Sequence, residues 1–142
     1  MANRISNAAA IAALEAVAVL GDGGNVKLYT GTAPTNVEDA ATGDLVATLP
    51  LNANAFNAST DGTDKAEATL NTTVAVTDPG AAGSTSAVGY YRIEDSGGTA
   101  FWQGDVTATG GGGSMELNST AVAAGIVVNL TAFTLELPEE NP

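Results

Sequence analysis

The chain has 142 residues, which suits one domain, and its 44% apolar residues are enough for a hydrophobic core. Sixteen acidic residues against four basic ones give a net charge of −12, which repels phosphate backbones and anionic lipids, so we expect no nucleic-acid and no membrane partner. Histidine and cysteine are absent, which removes disulfides and the catalytic triads and dyads that need those side chains. We therefore predict that the protein is not an enzyme and carries no cofactor.

The predicted elements begin with one helix over residues 7–20. Ser6 or Asn3 can cap its first turn through a side-chain oxygen, and Gly21 suits a left-handed C-terminal cap. Its apolar stripe at helical spacing consists of Ile11, Leu14, Val17 and Ala18. Because an alanine-rich helix this short needs a surface to pack on, we expect it to lie on its own sheet or on a neighbouring subunit.

After residue 24 the apolar period changes from helical to two, which indicates strands. Strands are predicted at 26–29 and 45–51, and loops at 31–43 and 52–65. Pro50 indicates a sheet edge or a strand end, because proline cannot donate to a ladder. Phe56 is predicted to anchor the second loop to the core.

A long third strand is predicted over residues 66–76, ended by the turn sequence at 78–80. The next two strands, at 88–94 and 101–107, form a hairpin around the turn sequence at 95–98. In that hairpin Tyr90 and Arg92 share one face, whereas Tyr91 and Ile93 take the other. Trp102 shares a face with Val106.

The glycine run at 110–113 is predicted to be a flexible loop, and a short strand follows at 115–117. The last strand, over 126–137, starts after a turn at 123–125. Its apolar residues are mostly even-numbered up to Leu130 and odd-numbered from Phe133 onward. This change of parity near Ala132 moves the apolar residues to the other face of the strand and predicts a β-bulge or a move from one sheet to another. Residues 138–142 read as a mobile acidic tail.

These elements predict a mainly β fold, an antiparallel β-sandwich or jelly-roll-like barrel of about seven strands with one N-terminal helix. The chain is predicted to be a single β-rich domain over 1–142. Its parts are an N-terminal arm and helix at 1–21, the sandwich at 25–137 and the tail at 138–142.

Paired carboxylates are the remaining catalytic possibility, because glycosidases need only two acids. Glu94 with Asp105, on facing strands of the hairpin, and Glu38 with Asp39 are the candidate pairs. A sugar-cleaving cleft would carry several aromatic platforms, and the chain has a single tryptophan. We interpret these acids as solvated surface groups and predict no catalytic residue.

Calcium sites need several oxygen ligands at defined spacings. Asp61 with Asp64, and residues 38–39 with Asp44, offer carboxylates without such a spacing. We therefore predict no metal site.

Five segments carry a resemblance to a family of small virion proteins of tailed phages. They read MANRISNAAAIAAL at 1–14, VKLYTGTAP at 26–34, YRIEDS at 91–96, GDV at 104–106 and TAFTLELP at 131–138. The chain resembles the capsid decoration, or cement, proteins of siphophages. The resemblance implies a protein on the capsid exterior, made in the bacterial cytoplasm, that binds the major capsid protein and forms a homo-oligomer, a trimer on the threefold axes. It implies no catalytic residue.

On this resemblance the N-terminal arm and helix become candidates for an anchoring or trimer contact. The residues assigned to partner or oligomer contact are Ile5, Ile11, Leu14, Tyr90 and Trp102. Two other functions stay open. One is a tail or head–tail joining component, and the other is a carbohydrate- or receptor-binding β-module that uses Trp102 or Tyr90.

Overall fold

The computed structural model describes residues 3–139. It is mainly β, with 39% strand and 11% helix, and its curled sheets form a sandwich-like or barrel-like body behind one N-terminal helix, which confirms the predicted fold class. Helix α1 spans Asn7–Ala18 and continues into one 3-10 turn at Val19–Gly21. The ten strands are β1 Asn25–Thr30, β2 Leu45–Pro50, β3 Thr60–Gly62, β4 Lys65–Thr69, β5 Val76–Asp78, β6 Val88–Glu94, β7 Ala100–Ala108, β8 Met115–Leu117, β9 Val128–Leu130 and β10 Thr134–Pro138.

Helix α1 starts at the predicted cap and ends differently from the prediction. The Ser6 hydroxyl accepts a hydrogen bond from the Ala9 N–H at 3.2 Å, which satisfies one free donor of the first turn. The buried side chains of the helix are Ala10, Leu14 and Ala18. The left-handed cap predicted at Gly21 is wrong, because the positive φ of 66° belongs to Gly23. Gly21 is instead buried where an added Cβ would lie 3.1 Å from the Phe56 ring.

The larger sheet has five strands in the order β2-β1-β6-β7-β8. Strand β2 lies at its edge, as Pro50 predicted. The β6–β7 hairpin is confirmed, with Tyr91 opposite Gly104 and Ile93 opposite Trp102. Its turn is closed by Asp95, whose carboxylate accepts hydrogen bonds from two following backbone N–H groups at 2.9 Å.

Strands β7 and β8 run parallel, with Val106 opposite Met115, although the sequence predicted an antiparallel fold. Parallel neighbours normally need a connection of about a dozen residues or more. Here the connection is confined to residues 109–114, and glycine makes that possible. An added Cβ at Gly111 or Gly113 would lie within 2.7–2.8 Å of the Thr107 side chain.

The predicted long strand over 66–76 is wrong, because it is two strands in two sheets. Strand β4 lies between β10 and β3, whereas β5 pairs with β9. Between them the Asn71 side-chain oxygen accepts hydrogen bonds from the Thr73 N–H at 2.9 Å and hydroxyl at 2.7 Å. This turn takes the backbone out of the ladder. Val74, predicted on the apolar face, is consequently 66% exposed.

The change of parity near Ala132 is confirmed as a move between sheets, because β9 pairs with β5 and β10 pairs with β4. The loop predicted at 52–65 contains strand β3, and its predicted anchor Phe56 is buried. The predicted tail begins too early, since Pro138 pairs with Lys65 and the next residue donates its N–H to the Asp64 carbonyl at 3.0 Å. Residues 140–142 lie outside the described part.

One cluster of buried side chains joins the helix to both larger sheets. Leu14 of α1, Ile93 of β6 and Leu135 of β10 are all 0% exposed within it. The helix lies against β4 and β10, so its inner face closes the core over the three-stranded sheet. This arrangement leaves two features at the surface, a groove beside β7 and the outer face of α1.

Candidate functional site

A groove of about 660 Å³ lies where β6, β7, β8 and β10 meet. Side chains from elements far apart in sequence line it, among them Tyr91, Trp102, Ser114, Phe133, Thr134 and Glu136. Three of the seven aromatic residues of the chain are therefore gathered at one place. The volume falls in the range of small-molecule sites, about 300–1,000 Å³.

Two of the three aromatic rings of the groove are buried and packed against each other. Tyr91 and Phe133 pack edge-to-face, with ring centroids 5.2 Å apart and planes at 73°. Gly104 makes room for the tyrosine, because a Cβ there would lie 2.8 Å from its ring. Burial raises the pKa of Tyr91 to about 12, while a hydrogen bond with Trp102 acts in the opposite direction. Tyr91 and Phe133 are buried, so Trp102 is the aromatic side chain of the three that keeps accessible surface.

The glycine run forms one rim of the groove and is closed by two carboxylates. Glu116 accepts hydrogen bonds from the N–H groups of Gly110 at 3.1 Å and Gly112 at 3.0 Å. Asp105 accepts from the Ser114 N–H at 2.9 Å and hydroxyl at 2.8 Å. These hydrogen bonds lower the pKa of both carboxyl groups. The run is a loop, as predicted, but its conformation is held by specific acceptors.

The other acidic side chain of the groove is also engaged. The Lys65 ammonium lies 2.6 Å from a Glu136 oxygen and 3.1 Å from a Glu67 oxygen. Both carboxylates lining the groove, Glu116 and Glu136, thus have partners within the chain. The groove offers a partly exposed indole ring among hydroxyl groups, backbone and paired charges.

The opposite face of the five-stranded sheet is covered by the loop at 31–43. Tyr90 stacks on Tyr29 with ring centroids 5.1 Å apart. Its hydroxyl donates to the Thr42 carbonyl at 2.6 Å and accepts from the Thr42 N–H at 2.9 Å. Tyr90 therefore fastens the loop to the sheet.

Arg92 is a second fastening point for that loop. It is 4% exposed and donates from Nε to the Gln103 side-chain oxygen at 3.2 Å and from Nη1 to the Asp39 carbonyl at 2.7 Å. Lys27, the cross-strand neighbour of Arg92, forms an ion pair with Glu94, and its Nζ lies 2.8 Å from a Glu94 carboxylate oxygen. Nη2 is buried and has no hydrogen-bond partner among the described residues. The guanidinium is thus used to hold backbone in place.

The outer face of α1 is apolar and almost without charge. Its exposed residues are five alanines, two polar residues and two residues of the 3-10 turn: Ala8, Ala9, Ala12, Ala13, Ala16, Asn7, Glu15, Val19 and Leu20. Val19 is 57% and Leu20 is 47% exposed. Glu15 is the one charged residue of the segment, and its carboxylate accepts a hydrogen bond from the Ser59 N–H at 2.7 Å. The helix therefore has apolar residues on the face that its own sheet does not cover.

A smaller apolar surface lies on the connection before β9. Ile126 is 52% and Val127 is 55% exposed, and both border a cleft of about 290 Å³. Exposed branched side chains side by side mark a second place where a partner could bury apolar area.

The five residues predicted to contact partners fall into two groups. Ile5 is 44% exposed, and Ile11 and Trp102 are half-buried, so partner contact stays a prediction for these three. Leu14 and Tyr90 are 0% and 1% exposed. For these two the prediction is wrong, because their side chains are enclosed by their own chain.

The structure separates the predicted carboxylate pairs. Asp105 lies opposite Tyr90, whereas Glu94 is four strand positions away, about 13 Å along the hairpin, and pairs with Lys27. Glu38 and Asp39 are exposed in the covering loop. The predicted pairing of Glu94 with Asp105 is therefore wrong. The interpretation of Glu94 as a solvated group is also wrong, because Glu94 is 7% exposed and pairs with Lys27. Asp105, Glu38 and Asp39 are exposed, as interpreted.

The carboxylates considered as calcium ligands are not gathered into one group. Within residues 3–139 no group of three or more acidic side chains lies close enough to hold a metal ion. Asp61 accepts hydrogen bonds from the Asn7 side chain at 3.0 Å, which ties strand β3 to the helix.

Sequence reasoning identified Trp102 and missed the rest of the groove. Phe133 comes from the connection just before β10 and Ser114 from the glycine loop, so neither is near Trp102 in sequence. The parity change near Ala132 was the available signal, since it places Phe133 on a different sheet from its predecessors.

No part of the described chain forms a helix that is long and apolar enough to cross a membrane.

The chain was compared with family models, curated proteins and solved structures. No known protein family, no curated protein and no solved structure matches the chain.

Proposed function

We propose that the chain is a capsid decoration protein that binds the outer surface of a tailed-phage shell and stabilises it without catalysis. The resemblance to siphophage decoration proteins supports this, because its segments run from the N-terminal helix to β10. The partner would be the major capsid protein. A net charge of −12 suits the capsid exterior, where the protein never meets the packaged DNA.

The observation that carries the proposal is the outer face of α1. Helices of soluble proteins that are apolar all round are buried on all sides. One side of α1 meets β4 and β10, while its other side exposes alanines, Val19 and Leu20. A protein that acts as a single chain would place charged residues there, so this face supports assembly with another subunit.

We assign that face to a second copy of the same chain within a trimer. Copies that each carry a charge of −12 repel one another, and the repulsion is weaker where the approaching surfaces are mostly alanine and carry a single carboxylate, Glu15. Small side chains also let two helices approach closely, at the short end of the usual axis separation of about 8–10 Å. Closed rotational symmetry then repeats the same contact around the axis.

Stabilisation of the shell would come from apolar area buried between the decoration trimer and neighbouring capsid subunits. About 25 cal/mol per Å² is an upper guide, because association also orders side chains and loops. Many equivalent contacts around the shell multiply a modest individual affinity.

The function is tested on particles of a phage that encodes this chain. Quantitative mass spectrometry should find hundreds of copies per particle, in fixed ratio to the major capsid protein. Deleting the chain should lower the temperature at which capsids release DNA. A few copies per particle, or copies confined to the tail, would instead favour the tail or head–tail component, and unchanged heat resistance would contradict stabilisation.

The helix assignment is tested separately, on the purified protein. Ala12→Glu places a charge on the outer face of α1, and Ala40→Glu adds the same charge at an exposed site in the loop at 31–43. Sedimentation should show a trimer for the unmodified chain and for Ala40→Glu. We expect at least tenfold weaker association for Ala12→Glu, and equal association of both variants would refute the helix contact.

A further inference from the structure

We propose that the groove holding Trp102 is a binding site for a neutral oligosaccharide. This site is separate from the proposed trimer contact, because the outer face of α1 contributes no residue to it. Its volume of about 660 Å³ and its opening to solvent suit an elongated ligand that lies along the surface.

The chemistry of the wall points to a sugar. Sugar rings have an apolar C–H face that packs on an aromatic ring, and hydroxyl groups around their edge that need hydrogen-bond partners. Trp102 supplies a half-buried ring that is hydrogen bonded to Tyr91, and Tyr91 in turn packs against Phe133. The Thr134 hydroxyl in the same groove can donate or accept, and the Ser114 hydroxyl, which donates to Asp105, can still accept from a sugar.

The electrostatics of the groove point to a neutral ligand. None of the described side chains that line it is basic, so a phosphorylated or sulfated sugar finds no counter-charge and meets the field of a chain with net charge −12. Its two carboxylates are already held, Glu116 by the glycine loop and Glu136 by Lys65. A cationic ligand would have to displace these partners, whereas a neutral hydroxyl can share the carboxylate oxygens.

Trp102 is the only tryptophan of the chain, which makes its fluorescence a reporter of this groove alone. The purified protein is first applied to an immobilised panel of neutral oligosaccharides that contain α- and β-linked glucose, galactose, mannose and N-acetylglucosamine, with sulfated glycans and basic peptides for comparison. Each saccharide that is bound is then titrated in solution. We expect a saturable shift of the Trp102 emission, and a panel without any bound saccharide would overturn the proposal.

Two matched variants locate the binding. Ala132→Arg places a long side chain into the groove from an exposed position, so it blocks the site without altering the core. Ala58→Arg adds the same side chain elsewhere at the surface. We expect at least tenfold weaker binding for Ala132→Arg and unchanged binding for Ala58→Arg. Equal binding by both, or binding restricted to sulfated glycans or basic peptides, would refute a neutral-saccharide site here.

Discussion

Replacing Tyr90 by phenylalanine tests whether its hydroxyl fastens the covering loop to the sheet. The change removes one oxygen and keeps the ring stacked on Tyr29. It deletes two hydrogen bonds, to the carbonyl and from the N–H of Thr42, of 2.6 and 2.9 Å. Each such bond contributes about 0.5–1.5 kcal/mol net. Thr42 is exposed, so water can reach its backbone once the loop moves, and we expect a total loss of about 1–2 kcal/mol.

Urea unfolding measures this loss as a lower midpoint at an unchanged slope. Hydrogen exchange adds a local readout, since the Thr42 amide should lose protection before the amides of β6 do. Tyr29→Phe is the matched control, because the Tyr29 hydroxyl has no hydrogen-bond partner among the described residues. A loss below about 0.5 kcal/mol for Tyr90→Phe, or an equal loss for Tyr29→Phe, would refute the reasoning.

Three further predictions concern the core, the glycine loop and pH. Leu14→Ala should lower the free energy of unfolding by about 2–5 kcal/mol, since Leu14 is fully buried, and an effect under about 1 kcal/mol in urea unfolding would mean that α1 is not part of the core. Gly111→Ala should lower the melting temperature, because its Cβ would lie 2.7 Å from the Thr107 side chain, and calorimetry showing no change would contradict that close contact. The lowered pKa values of Glu116 and Asp105 stabilise the fold fully above their ordinary values of 4.5 and 3.8, and that stabilisation is lost as the pH falls through the lowered values. Unfolding followed from pH 6 downward should therefore show a decline that is smaller in the double variant Glu116→Gln, Asp105→Asn, which keeps the contribution of Glu15, whose pKa is also lowered.

Local signals in the sequence predicted the elements that depend on neighbouring residues. The Ser6 cap, the Asp95 turn and the edge position of Pro50 follow from hydrogen bonds or ring closure within a few residues. The parity change near Ala132 belongs to the same class, because period-two alternation is itself local. Even here one local hydrogen bond was overlooked, the Asn71 turn that divides the predicted long strand into β4 and β5.

The contact surface was harder to predict, because alternation gives the face of a residue and not what covers that face. Tyr90 was assigned to a partner contact, yet the loop at 31–43 folds over it. Leu14 was assigned likewise, yet β4 and β10 enclose it. The exposed alanines of the same helix, which no apolar stripe singled out, remain at the surface.

The sequence by itself determined that this is a mainly β chain with one capped helix, that it is strongly acidic, and that it lacks the side chains of histidine- and cysteine-dependent chemistry. These properties depend on composition and on interactions within a few residues. Only the tertiary structure decided which apolar side chains stay exposed and which aromatic residues meet. Trp102, Ser114 and Phe133 form one groove because β7 pairs with β8 across a six-residue glycine loop while β10 joins another sheet. Such long-range pairings are selected by the packing of the whole core, which no short stretch of sequence encodes.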